Sequence, residues 1–436
     1  MKRYTSFLDL LSAQDKYSTA FEYMRGENHE FISYEDLIKQ IETYKIPNKA
    51  VIGIIFDNST TSLISFFALA SKKQIVVLNP MDNIETLAIE IQSTHVQMLI
   101  GPSELVNALD KYLDKDFNTS NKDILFFTSG TTNKSKAVVL TEASLCNATY
   151  NGGALLPLDK NDSLLSVLPH AHVFGMVCSL LWPLSFGAKV CLGRGLQQIF
   201  FDFNEFKPTA SSLVPEMAGF LAAKGLFNPE LKLILIGAGD CPDMVLNMIK
   251  SMGIRVSFGY GLTETSSGIA LSLEDNPRAM TICPDYEVTI AEDSEIIVKS
   301  STTLMKGYYM DEKSTKEVLD GNTFKTGDLG KIEDGKLYII GRKKEIIVFS
   351  DGSKVFLPEY ELALKKILAP TADFCVIQLR SGVLALYIFG QKDIEDTIDK
   401  FNENYTRSQK IAKIIYADNK LPRTNTGKVQ KYKIDI

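Results

Sequence analysis

The chain has 436 residues, of which 45% are hydrophobic and 23% charged, and its formal net charge is −6. This composition excludes a disordered or fibrous chain and offers no global positive charge for nucleic acid, while the length accommodates one large multilayer domain and a smaller one. Cys146, Cys178, Cys191, Cys241, Cys283 and Cys375 show neither C-x-x-C pairing nor zinc spacing, as expected of reduced, mostly buried thiols.

Residues 1–20 are basic and then briefly apolar, without a sustained hydrophobic run or a small-residue cleavage site, so a first helix is expected rather than a signal peptide. Strand-like and helix-like segments then alternate: 50–56 (strand), 59–71 (helix), 74–78 (strand), 84–93 (helix) and 96–100 (strand). That rhythm implies βαβ units on a largely parallel sheet. A polar linker, 118–122, leads into 124–140, ILFFTSGTTNKSKAVVL, where a β-branched and aromatic strand opens into a loop rich in hydroxyls. Thr128, Ser129, Thr131 and Thr132 surround Gly130, whose missing Cβ lets backbone N–H groups approach an anion, and Lys134 and Lys136 add positive charge. The loop suits phosphate, although a Thr- and Gly-rich surface hairpin would look similar. It is not a Walker P-loop, because G-x-x-x-x-G-K-S/T does not fit and 137–140 reads as a second strand.

Thr141 is placed to cap the next helix, and the alternation continues through 164–168, 188–192, 211–214 and 231–236. The most apolar window, 175–192, contains Ser179, Pro183, Ser185 and Lys189 and reads as core helix and strand, not as a membrane span. From Val288 the pattern turns to short alternating strands, 295–299, 330–333 and 336–340, which suggests a smaller β-rich subdomain.

The 124–140 stretch resembles the phosphate loop of the adenylate-forming (AMP-binding) superfamily, which includes acyl- and aryl-CoA synthetases, acyl-acyl carrier protein ligases, peptide-synthetase adenylation domains and luciferases. Phe127 to Thr132 and Lys136 match; Asn133, Ser135 and Ala137 stand where the family has Gly, Pro and Gly. Further stretches follow in the family's order. In LPHAHVFGM, 168–176, His172 and Gly175 match H-x-x-G, and the resemblance implies a gate beside an acyl pocket. In ILIGAGDCP, 234–242, Gly237, Ala238 and Gly239 would let adenine lie against backbone, though a tight turn explains them almost as well. In FGYGLTETSSG, 258–268, Tyr260 beside Gly261 would stack on adenine, Thr263 would bond phosphate and Glu264 would hold Mg²⁺. In FKTGDLG, 324–330, Asp328 is expected in a glycine-flanked turn, accepting both ribose hydroxyls. In YIIGRKKEII, 338–347, Arg342 would reach ribose or phosphate and Lys344 occupies the hinge position. In LPRTNTGK, 421–428, Lys428 is the lysine the family inserts for adenylation.

The resemblance implies an α/β fold: a large N-terminal domain, residues 1–343, with mostly parallel sheets and the β-rich subdomain, and a small mobile α+β C-terminal domain, 344–436. It implies ATP and Mg²⁺ dependence, a carboxylic acid substrate, and CoA or the phosphopantetheine of an acyl or peptidyl carrier protein as acceptor. No acidic residue occurs between Asp162 and Asp202, so a fatty or aryl acid without an α-amine is expected, with medium chains favoured over very long ones. Transfer to an amine or hydroxyl, or a non-catalytic nucleotide- or acyl-binding role, remains open. A cytoplasmic protein without membrane span or nucleic-acid partner is expected, and a homodimer is neither implied nor excluded. Residues 404–436 hold six lysines and two arginines against Asp418 and Asp435, a candidate docking face for CoA phosphates or an acidic carrier protein.

Overall fold

A computed structural model describes residues 2–128, 135–239, 241–274, 276–423, 429 and 431–434. Of the residues named above, Ser129, Gly130, Thr131, Thr132, Asn133, Lys134 and Lys428 lie outside the described residues.

The first six-stranded sheet follows from the βαβ rhythm. In spatial order it runs Gly307–Tyr308, Ala137–Leu140, Ile124–Phe127, Gln74–Leu78, Val51–Ile55 and Met98–Ile100. Val51–Ile55 and Gln74–Leu78 are buried at every position, as strands covered on both faces by helices must be. Ile124–Phe127 and Ala137–Leu140 form an antiparallel hairpin at one side of this sheet, with Ile124 opposite Leu140 and Phe127 opposite Ala137. Thr141 then caps the helix Glu142–Leu155, its side chain accepting from the Ser144 backbone.

The second sheet is larger. Its parallel half comprises Thr19–Arg25, Lys189–Leu192, Ser163–Ser166, Ala210–Leu213, Leu233–Ile236 and the start of Arg255–Leu262. One expectation is corrected here: the amino-terminal helix is only Phe7–Ser12, and Thr19–Arg25 pairs with Asn28–Ser33 as a hairpin on the sheet edge. The expected β-rich subdomain is the antiparallel half of this sheet: Arg255–Leu262 leaves its parallel neighbour and pairs antiparallel with Ser267–Ser272. Met280–Ile282, Lys336–Arg342, Thr323–Glu333, Glu295–Lys299 and Glu287–Ile290 continue outward from it, so this half of the sheet is antiparallel.

After the turn Lys343–Glu345 comes a hairpin, Ile346–Val348 with Lys354–Phe356, and a three-stranded sheet of Asp373–Gln378, Leu384–Phe389 and Ile411–Tyr416. The helices Leu357–Lys365 and Glu395–Asn402 belong to the same part of the chain. Its buried clusters, one around Leu364, Leu386 and Ile398 and the other around Cys375 and Ala385, begin at Ile347 and include no earlier residue. Among the described residues no helix is long and apolar enough to cross a membrane. All six cysteines are free thiols; Cys178 is partly buried and the others are buried.

Candidate active site

Two side-chain clusters involve the strand Arg255–Leu262 and the turn that follows it. The first lies at the open end of the Ile124–Phe127 hairpin. The Thr128 N–H donates to the Lys136 carbonyl at 3.0 Å and the Ser135 hydroxyl donates to the Thr128 carbonyl at 2.7 Å, so both stems of the loop are fixed. Beside them, Lys306 N donates to Val139 O, Tyr309 N to Ala137 O, and Met305 N to the Glu264 carbonyl. This zips 305–309 between the hairpin and the 3₁₀ turn Thr263–Thr265. The Lys136 ammonium stands 4.4 Å from the centre of the Tyr308 ring, and the Tyr308 hydroxyl donates to Glu264 Oε1 at 2.8 Å. Burial and the Glu264 carboxylate push the Tyr308 phenol up, which keeps it a donor.

Glu264 is half-buried, and nothing among the described residues donates to its second oxygen. One carboxylate with a spare oxygen fits a magnesium ion that takes its remaining ligands from phosphate and water. Thr263 is half-buried, and its carbonyl accepts from Ser266 N at the end of the turn.

The second cluster is Tyr260, Asp328 and Arg342. Asp328 pairs with Arg342 across adjacent strands; its Oδ1 lies 3.0 Å from Arg342 Nε and its Oδ2 accepts the Tyr260 hydroxyl at 2.9 Å. Burial, with Asp328 adding to it, pushes the Tyr260 phenol well up. The expected glycine-flanked turn at Asp328 is instead the middle of the strand Thr323–Glu333, held where Thr326 Oγ1 accepts the Asp328 N–H. Each carboxylate oxygen has a second lone pair, so contact with ribose hydroxyls is compatible with this arrangement. Gly261 lies at a bulge in the strand, opposite Gly268.

At 237–239, a Cβ on Gly237 would sit 3.0 Å from the Phe174 ring, so Phe174 occupies the space on that side of the backbone. Ala238 is exposed with φ +65°, and Gly239 is half-buried. His172, two residues before Phe174, is half-buried, and burial lowers its pKa, which favours the neutral imidazole. Lys344 is exposed in its 3₁₀ turn, whereas Lys343 is anchored to Asp293 and Glu295 and pushed up to about 12 by them.

A small cavity of about 30 Å³ lies between the helix Glu142–Leu155, the π-helical turn Gly175–Leu181 and the strand Ser267–Ser272. Thr149, Gly152, Leu156, Cys178, Trp182 and Leu271 are among its lining residues, and none of the lining residues is charged. The Trp182 indole N–H donates to Leu156 O and the Thr149 hydroxyl to Cys146 O, so these polar groups are spent within the wall.

Sequence reasoning missed Tyr308, whose signal, the Gly-Tyr-Tyr run at 307–309 behind Lys306, names no partner.

The family model described as "AMP-binding enzyme" matches residues 119–309. The 2-succinylbenzoate–CoA ligase of Bacillus licheniformis is 27% identical over 342 residues, covering 71% of this chain and 69% of the relative. A probable 4-coumarate–CoA ligase of Dictyostelium discoideum is 30% identical over 59% of this chain and 51% of its own. Among solved structures, the O-succinylbenzoate coenzyme A synthetase of Bacillus subtilis with AMP superposes at a TM-score of 0.83, with 20% identity, over 100% of this chain and 99% of that one. The same synthetase with ATP and magnesium gives 0.81, with 20% identity, over 99% of each chain.

Proposed function

We propose, from the AMP-binding family model over residues 119–309 and from the CoA-ligase relatives, that the chain is a member of the adenylate-forming superfamily and an ATP-dependent acid–CoA ligase that activates a carboxylic acid as its acyl-adenylate. The observation that carries this reading is the row Lys136, Tyr308, Glu264, which sets a cation and a carboxylate on either side of one phenol at the mouth of the hydroxyl-rich loop. The names of the relatives, ligases joining acids to CoA, support CoA as the thiol acceptor. A carrier-protein phosphopantetheine remains the alternative.

Attack of a carboxylate on the α-phosphorus joins two anions, so the barrier is electrostatic and positional. Lys136 and the loop hydroxyls would neutralise phosphate oxygens, and Lys428 would approach the same centre from the C-terminal lobe. Magnesium held by Glu264 would supply further positive charge as pyrophosphate departs. Tyr260, Asp328 and Arg342 would hold the ribose. A carboxylate needs no general base to act as nucleophile. The domain division at residue 343, the hinge at Lys344 and the gate at His172 belong to the same proposal.

The cavity bears on the substrate. Its uncharged wall favours a tail with neither an ammonium nor a second carboxylate, since a buried unpaired charge costs several kcal/mol. ATP–pyrophosphate exchange over a panel of acids tests this. Benzoate-like and short monocarboxylic acids should exceed their amino- and carboxyl-bearing analogues; preference for the amino acids would move the chain toward peptide-synthetase chemistry.

A further inference from the structure

Resting on that reading of the site, we infer that Tyr308 is a positioning residue that keeps Lys136 and Glu264 apart and aims the carboxylate at the nucleotide's phosphates. Without a spacer, an ammonium and a carboxylate this close would attract each other, and an ion pair between them would withdraw both from the phosphates. The phenol satisfies each separately: its face lies 4.4 Å from the Lys136 ammonium and its hydroxyl donates to Glu264 Oε1 at 2.8 Å. The two contacts reinforce each other, because donation to an anion enriches the ring that faces the cation. The backbone that carries the ring is held on both sides. Tyr308 N donates to Thr315 Oγ1 at 2.9 Å, Tyr308 pairs with Val138 across the strand, and Tyr309 N donates to Ala137 O at 2.8 Å. Glu264 is tied to the same segment through its own carbonyl, which accepts from Met305 N at 2.8 Å. The carboxylate and the phenol therefore move as one unit.

Two variants separate the contacts. Tyr308→Phe keeps the ring and loses the hydroxyl; Tyr308→Leu loses both. Pyrophosphate exchange should fall about tenfold in Tyr308→Phe, the size expected for one hydrogen bond to a charged group, and further in Tyr308→Leu. The Tyr308→Phe effect should vanish in a Glu264→Gln background, because the hydroxyl acts through that carboxylate. A binding measurement provides a readout independent of turnover. By calorimetry, an ATP analogue with a methylene in place of the α,β-bridging oxygen should bind Tyr308→Phe more weakly than the parent with Mg²⁺ and equally without it. Full exchange activity in Tyr308→Phe, an undiminished effect in the Glu264→Gln background, or equal weakening with and without Mg²⁺ would each overturn the assignment. If the parent protein binds no analogue at all, the nucleotide reading fails as well, so the two failures are distinguishable.

Discussion

At the scale of single residues, the tightest constraint on the acid site lies in the chain behind His172. Gly175 starts the π-helical turn, and a Cβ there would fall 2.2 Å from the Pro169 carbonyl oxygen. The 168–176 segment is packed from elsewhere too: Asn58 accepts from His170 N and donates to Leu168 O, and the His170 ring, fully buried and lowered to about 3 by burial, bonds Ser166. Gly175→Ala therefore cannot be absorbed by a side-chain rotation, since the clashing atom is backbone. It should destabilise the protein by about 1–3 kcal/mol in denaturant titrations, as overpacking does, and reduce pyrophosphate exchange by displacing His172. The motif was legible in the sequence; the reason for its glycine was not, because Pro169 meets Gly175 only through the turn between them.

Among the elements, the N-terminal hairpin is the one the sequence pattern concealed. Its strand Asn28–Ser33 carries His29, whose Nδ1 lies 2.6 Å from Glu22 Oε1 and whose Nε2 lies 3.0 Å from Glu205 Oε1 on the helix Ile199–Phe206. Lys189 and the Cys191 thiol also contact Glu22. The hydrogen bond to Glu205 and that to Glu22 raise the His29 pKa above its ordinary value. A raised folded-state pKa means that the protonated ring stabilises the fold, fully below the unfolded value of about 6.5 and decreasingly as pH rises through the folded one. Thermal melts across about pH 6 to 9 should show this loss in the parent protein, and His29→Gln should remove that part of the pH dependence. Parallel slopes for the two proteins would show that His29 does not couple the hairpin to the helix.

Across the whole molecule, the proposed two-step reaction asks the C-terminal lobe to present first Lys428 and then another face. Lys428→Ala should lower adenylation by about 10²- to 10³-fold, as loss of a preorganised donor does, while thioester formation from supplied acyl-adenylate survives. Lys344→Pro should do the reverse, because proline fixes φ at the residue that must rotate. Equal loss of both half-reactions in either variant would argue for a folding role. The basic tail is less available for docking than its composition suggests: Arg423 is paired with Asp373, and Lys431 with Glu361 and the Val376 carbonyl.

By itself the sequence determined the order and type of most buried elements, since a strand covered on both faces reads as an apolar run, as 51–55, 75–78 and 233–236 do. It also determined the chemistry on offer, because hydroxyls, lysines and carboxylates announce themselves by type. Tertiary structure alone decided which of them meet. Tyr308 stands between Lys136 and Glu264, Phe174 fills the space at Gly237, and Arg255–Leu262 joins the parallel and antiparallel halves of one sheet. Each of these depends on residues far apart in the chain, where strand pairing and packing choose the neighbour and local pattern carries no record of it.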